Sequence, residues 1–227
     1  VDKATGKKLS PYHSPTPKYA KRLHDTWESE RFNVGDPTAQ NTPLPPLPEW
    51  QLSESVVPMA VSRSGEIPNG YLSGVVARQV CENAGKRLCK QSEWVRACRG
   101  AANRQFPYGD QYKQGACNTF RFSHPAMVLH NNPSTGHLDP RLNQVSDKQG
   151  PLLRKTGETK SCASLWGDDA VYDMVGNLDE WVDNDKGMFL GGFFSRAKKD
   201  GCASVVTAHP NNYWDYSLGV RCCRGAD

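Results

Sequence analysis

The sequence has no run of apolar residues long enough to cross a bilayer. It shows no secretory leader, and it opens at Val1 without Met, so a processed or truncated N-terminus is expected. It has little net charge: 28 basic residues against 24 acidic ones leave +4 over 227 residues. That balance gives no reason to expect nucleic acid as a partner. Pairs such as Lys7-Lys8 and Lys198-Lys199 read as solvated surface. No two cysteines stand at Cys-x-x-Cys spacing, and no His stands at zinc-finger distance from them, which argues against a structural zinc site.

What is present is an even set of eight cysteines: Cys81, Cys89, Cys98, Cys117, Cys162, Cys202, Cys222 and Cys223. A disulfide framework in an exported protein (secreted, periplasmic or at the cell surface) explains such a set best. Eight cysteines allow about 105 pairings, so the pattern alone does not fix connectivity. Cys222 and Cys223 are adjacent and point to opposite faces of a strand, so they need two different partners. The chain is long enough to bury a sizeable core. Residues 1–58 stand apart from the rest, because nine of the 16 prolines fall there. They read as a proline-rich arm or linker, with a short helix over 17–32 that places Leu23 and Trp27 on one face. One reading is a tether to an anchor or neighbouring domain. The other, which we carry forward, is an arm that docks on its own domain or on another protein.

Residues 59–227 read as the globular domain. Ser73 is a natural N-cap for a helix through Asn83, and Gly85 suits its end. A second helix is expected across Ser92–Cys98, with Trp94, Val95 and Cys98 inward. Residues 188–195, MFLGGFFS, read as a strand with a Gly-Gly kink, and residues 217–223, SLGVRCC, as the last strand. His124, His130 and His137 lie in a loop-rich segment at spacings of six and seven. They read as independent surface histidines. The densest stretch is 172–182, YDMVGNLDEWV. A turn at Gly176-Asn177 would aim carbonyls between the carboxylates of Asp173 and Glu180, an oxygen set suited to calcium.

YDMVGNLDEW resembles the Y-D-M-x-G-N-V-W-E-W signature of the formylglycine-generating-enzyme, or sulfatase-modifying-factor, family. AGKRLCKQSEWVRACRGAANRQFPYGD is similar to its A-G-K-R-L-P-T-E-A-E-W-E-Y-A-x-R-G block and following Y-P-W-G. GACN at 115–118, the Gly-Gly stretch and SLGVRCC resemble its remaining blocks, in the same order. The resemblance implies an irregular α+β fold, a loop-rich variant of the C-type-lectin fold held by disulfides or calcium. It implies the pairs Cys81–Cys222 and Cys98–Cys202, with Cys89–Cys223 and Cys117–Cys162 as the natural completion. It implies structural calcium on Asp173, Gly176, Leu178 and Glu180, with Asn118 and Thr119 beginning a further site.

Catalytic members of that family oxidise a substrate cysteine with copper(I), held by two cysteines just after the Gly-Gly strand. Here the corresponding stretch, SRAKKDGCAS at 195–204, holds only Cys202, and the first catalytic cysteine falls near Arg196. No copper is therefore expected. Nothing resembles the helical bundle that supplies iron ligands in the sulfoxide-forming branch. A second candidate region is TAHPNNYWDYS at 207–217. There His209, Asn211, Asn212, Tyr213, Trp214, Asp215 and Tyr216 could form a peptide- or glycan-binding surface, or plug the core. The calcium-lectin motifs Glu-Pro-Asn and Gln-Pro-Asp are absent, so no sugar specificity follows. Two functions compete. One is an exported non-catalytic module that binds another protein or joins an assembly, through its arm or this surface. The other is a copper- or iron-dependent oxidase with rearranged ligands such as His209 and Asp215.

Overall fold

A computed structural model of the chain describes residues 1–196 and 199–225. Lys198, read as solvated surface, lies outside the described residues, as do Ala226 and Asp227 at the end of the expected domain. The arm contains α1 (Pro17–Glu30) and α2 (Pro37–Asn41). Pro17 pre-sets the first turn of α1, where no intrahelical N–H is needed. Ala20 and Leu23 are buried beneath α1, and Trp27 meets His130 edge-on with ring centroids 5.0 Å apart. The helix stops two residues before the expected Phe32, because Arg31–Asn33 tighten into a 3-10 turn. Asp36 caps α2 by accepting from the Ala39 N–H at 2.9 Å.

The two ends of the arm are fastened together. Lys3 N–H donates to the Val57 carbonyl at 2.7 Å, and Met59 N–H donates to the Val1 carbonyl at 2.8 Å. The Asp2 carboxylate also accepts from Val57 N–H at 3.1 Å. Residues 1–58 thus form a closed strap packed on the rest of the molecule.

The remainder begins with α3 (Gly74–Asn83), capped by Ser73, whose hydroxyl accepts from Val76 N–H at 3.2 Å. Then come β1 (Arg87–Leu88) and α4 (Gln91–Arg99). Lys90 cannot cap α4 as Thr would. Glu93 reaches back instead, accepting from Lys90 N–H at 2.8 Å and from Arg87 Nη1 and Nη2 at 2.6 and 2.7 Å. Next in order are α5 (Pro125–His130), β2 (Ser146–Asp147), β3 (Gly150–Pro151), β4 (Ala163–Trp166), β5 (Asp169–Tyr172), β6 (Asp179–Trp181), β7 (Phe189–Leu190), β8 (Val205–Val206), β9 (Leu218–Val220) and β10 (Cys222–Cys223).

One four-stranded sheet has the order β8-β7-β6-β9, with β6 and β9 parallel and the other pairs antiparallel. β4–β5, β2–β3 and β1–β10 are two-stranded antiparallel pairs. The expected strand over 188–195 is shorter than the sequence reading. It ends at Leu190, because Gly191 and Gly192 adopt φ of +95° and +76° and turn the chain. A Cβ on Gly191 would stand 2.8 Å from the Met174 carbonyl, so only glycine fits there. Likewise the expected last strand breaks at Arg221 into β9 and β10.

Three apolar clusters surround the sheet. One joins α3 to Trp181, Phe189 and Leu218. One groups Trp94, Met174, Leu190 and disulfide sulfurs. The third, with Leu142, Leu152, Phe194 and Tyr216, backs onto Ala39 of the arm. The bonds Cys81–Cys222, Cys89–Cys223, Cys98–Cys202 and Cys117–Cys162 tie these layers together. They are the four pairs that the resemblance implies. All eight cysteines are bonded. In a loop-rich chain each bond contributes roughly 2–4 kcal/mol by restricting the unfolded state.

Candidate functional site

The turn between β5 and β6 carries the oxygen set expected for calcium. Asp173 and Asn177 adopt left-handed backbone, with φ of +60° and +63°, which Asp and Asn tolerate better than most residues. Gly176 at φ +80° lies where a Cβ would meet the Asn118 carbonyl at 2.3 Å. Gly176 N–H donates to the Gly191 carbonyl and Asn177 N–H to the Asn118 carbonyl, both at 2.9 Å. These bonds face the turn's N–H groups away and leave acceptors open. Among the described residues no N–H is directed at the Gly176 or Leu178 carbonyl. Asp173 Oδ2 accepts from Gly157 N–H at 2.7 Å, while Oδ1 meets no protein donor among the described residues. Burial pushes the Asp173 carboxyl above the usual range, and the Gly157 N–H and Arg221 only partly offset it.

Glu180 is less free. Its Oε2 accepts from Trp94 Nε1 at 2.7 Å and Arg221 Nε at 3.1 Å, and Oε1 accepts from Arg221 Nη2 at 3.1 Å. One lone-pair direction on Oε1 is left. The donor set at Asp173, Gly176, Leu178 and Glu180 is all oxygen, partly unpartnered, and of the kind a hard cation takes. No three His, Cys, Asp or Glu side chains converge as a metal group among the described residues. A cation at this turn would therefore lean on backbone carbonyls.

Asn118 and Thr119 do not extend this set. The Arg121 guanidinium donates to Asn118 Oδ1 at 3.2 Å, and Asn118 Nδ2 donates to the Leu152 carbonyl and Asn177 Oδ1. The Asn118 carbonyl is taken by Asn177 N–H. A positive guanidinium already faces the side-chain oxygen that a second calcium would use. A cation at Asn118 and Thr119 would have to displace this guanidinium or use the other lone pair of Asn118 Oδ1.

The stretch after the Gly-Gly turn holds a pair that the sequence reading missed. Asp179, fully buried, accepts from Gly192 N–H at 2.9 Å and from Arg196 Nη2 at 2.9 Å. Burial raises its carboxyl to about 7, with Arg196 and the Gly192 N–H opposing the rise and Asp215 adding to it. Arg196 also lies over the Phe193 ring at 5.5 Å. Cys202, the one cysteine of 195–204, is bonded to Cys98.

The 207–217 residues do not form one open surface. Tyr216 is buried in the core, with its hydroxyl 3.3 Å from His124 Nε2. Asp215 caps a turn, accepting from Ser217 N–H at 2.8 Å and its hydroxyl at 2.7 Å, and it accepts from Tyr213 Oη at 2.6 Å. Burial and that carboxylate raise the Tyr213 phenol. His209 stacks between Tyr213 at 3.9 Å and Phe189 at 5.9 Å, so the Tyr213 ring, not a hydrogen bond, connects it to Asp215. Asn211 Nδ2 donates to the Asn184 and Asp185 carbonyls, each at 2.9 Å. Trp214 is covered by Tyr19 of the arm, with centroids 5.5 Å apart. Of the seven candidate residues Asn212 is exposed, as are Thr207, Ala208 and Pro210 of the same stretch. The three loop histidines are half-buried and packed against other rings rather than free on the surface. His124 packs on Phe193 and Tyr216, His137 on Tyr216, and His130 lies 3.1 Å from Asp139 under Trp27. Of the three, His130 is the one that the arm covers, through Trp27.

A cavity of about 750 Å³ opens between the arm and the domain. Leu9 and Pro11 of the arm form one wall, Val171 and Tyr172 of β5 another, and Asp173 and Glu180 reach it.

The sequence profile of the family described as sulfatase-modifying factor enzyme 1-like domain matches residues 67–224. The chain is also similar to the protein of a structure titled "Crystal Structure of CarF", at 21% identity and a TM-score of 0.36. That match covers 62% of this chain and 47% of the other, so the chain spans about half the length of that relative. No curated protein matches the chain.

Proposed function

The chain belongs to the family of sulfatase-modifying factor enzyme 1-like domains, and from that premise we propose that it is an exported, non-catalytic member that binds a partner protein. The observation that carries this reading is the Arg196–Asp179 ion pair. It stands where the resemblance puts the first copper-binding cysteine. Soft thiolates are what copper(I) requires, and every cysteine of this chain is engaged in a disulfide. The disulfide framework also supports export, since such bonds persist in oxidising compartments. A calcium ion held by Asp173, Gly176, Leu178 and Glu180 would stiffen the central turn; it is proposed as structural, with no part in chemistry. The test is incubation of the native protein with a cysteine-containing peptide, copper(I) and oxygen, followed by mass spectrometry and a carbonyl-reactive probe. The expected result is unchanged peptide. Conversion of the cysteine to formylglycine would overturn the proposal.

A further inference from the structure

Arg196 combines fixation with exposure. Its side chain is 46% exposed, yet Nη2 is held by a carboxylate that is 1% exposed. Asp179 in turn is pinned by Gly192 N–H at 2.9 Å. The backbone is closed into a tight turn, with Phe193 N–H donating to the Arg196 carbonyl at 2.8 Å and Arg196 N–H to the Phe193 carbonyl at 3.0 Å. Nε and Nη1 meet no protein acceptor among the described residues. A guanidinium placed this way has already lost most of its conformational freedom. An incoming anion therefore orders less on binding.

Beside it stands Phe122, 86% exposed. It is not on a loose loop. Arg121 N–H donates to the Phe194 carbonyl at 2.9 Å, and Ser195 Oγ donates to the Ser123 carbonyl at 3.1 Å. The backbone is thus fastened to the Arg196 turn on both sides of Phe122. Phe120, Met127 and Val128 on the same run are 42–44% exposed. Residues 120–130 contain no carboxylate. The neighbouring turn carries Arg196, Lys199 and one acid, Asp200, among the described residues. Rigid aromatics and arginines are the residue types that dominate protein interfaces.

We propose that Arg196 and Phe122 are the two anchors of a docking surface for an acidic segment of a partner protein. One carboxylate of the segment sits on the guanidinium and a neighbouring apolar side chain on the phenyl ring. The open Nε and Nη1 of Arg196, Lys199 on the same turn and the lack of carboxylates in 120–130 favour an acidic partner. This inference rests on the binding-module reading and names its partner class.

The probe is a fluorescein-labelled nine-residue peptide alternating Glu with Leu and Phe. Its counterpart carries Gln in place of Glu. Binding to the full, disulfide-intact chain is followed by fluorescence anisotropy. The Glu peptide should bind saturably, and the Gln peptide should bind at least about tenfold more weakly, as should the Glu peptide to Arg196→Gln or Phe122→Ser, the loss of about 1.4 kcal/mol that one decade represents. Phe122→Ser leaves the ion pair intact, so its effect does not depend on how well Arg196→Gln folds. Three results would overturn the proposal: no saturable binding of the Glu peptide, equal binding to all three proteins, or a concentration-dependent dimer that Phe122→Ser dissolves. Loss of peptide binding without cysteine oxidation strikes this surface alone. Cysteine oxidation by the native protein strikes the non-catalytic reading instead.

Discussion

Arg121 is the sharpest place to perturb the fold. Its guanidinium is buried and donates to Asp147, Asn118 Oδ1 (3.2 Å), the Pro151 carbonyl (2.9 Å) and the Gly150 carbonyl (2.9 Å). The side chains of Arg121 and Asp147 are 3% and 2% exposed. Arg121→Met keeps the length of the stem and removes every donor. Asp147 is then left with the Gln149 N–H as its donor at 2.8 Å, and three neutral acceptors lose theirs. Breaking a buried pair from one side costs about 3–5 kcal/mol. Each bare acceptor adds about 1–3 kcal/mol unless water enters. Taking about 4 kcal/mol as the centre, Tm should fall by about 8–16 °C for a chain of this size. The assay is calorimetry without reductant, run alongside the Arg121→Met, Asp147→Leu double variant. Replacing both partners removes the stranded charge, so the double variant should recover more than half of the loss. A single-variant fall under about 2 °C, or a double variant no better than the single, would refute the reasoning. It would mean that solvent reaches this pair. The same comparison bears on the metal expectation, because removing Arg121 takes away the guanidinium that faces Asn118 Oδ1.

Two further perturbations follow from the other sites. If calcium occupies the central turn, the native protein should contain one ion per chain by elemental analysis. A chelator should then lower Tm by several degrees, and Asp173→Asn should melt at the same temperature with and without it; an unchanged Tm would show that the turn stands without metal. His13 is buried and its imidazole is held down to about 4, mainly by burial and then by His24. Its folded pKa lies below the unfolded value of 6.5, so the stability it contributes is complete above pH 6.5 and is lost as pH falls through about 4. The full contribution is on the order of 3 kcal/mol. Protease cleavage within residues 17–33 should therefore accelerate as pH falls from 7 to 4, and His13→Gln should flatten that profile. Identical profiles would remove His13 from the fastening of the arm.

Much of the scaffold was legible because it is written in local chemistry. Ser73 before an apolar-periodic run fixes the start of α3. The run from Glu93 to Cys98 shows which face of α4 turns inward. Adjacent Cys222 and Cys223 demand two partners, which they find on Cys81 and Cys89. What escaped depends on the arm. Nothing in the periodicity of 17–32 says that Tyr19 will cover Trp214 or that Trp27 will lie on His130. So His130 reads as a surface residue, and 207–217 stays open between a binding face and a core plug, when the arm packs on His130 and on Trp214. Asn118 has the right chemistry for a ligand, but Arg121, three residues on, folds back onto its oxygen.

Asp179 and Arg196 escaped for a different reason. In LDEW, Asp179 stands where the family signature carries Trp. Arg196 falls near the expected copper cysteine. Each departure looks like a loss when taken alone. Asp179 in place of a large apolar ring buries a charge, at several kcal/mol if unpaired. Arg196 in place of a thiol brings a cation towards an interior position. The antiparallel pairing of β6 with β7 and the turn at Gly191-Gly192 bring the two together across 17 residues of chain. Each then supplies what the other lacks, so the departures compensate as a pair. Coupling of this kind is measurable. Asp179→Asn alone and Arg196→Gln alone should each destabilise the fold, and the double variant should lose less than the sum. Strict additivity would mean that the two substitutions are independent and that Arg196 is not held in place by the buried carboxylate.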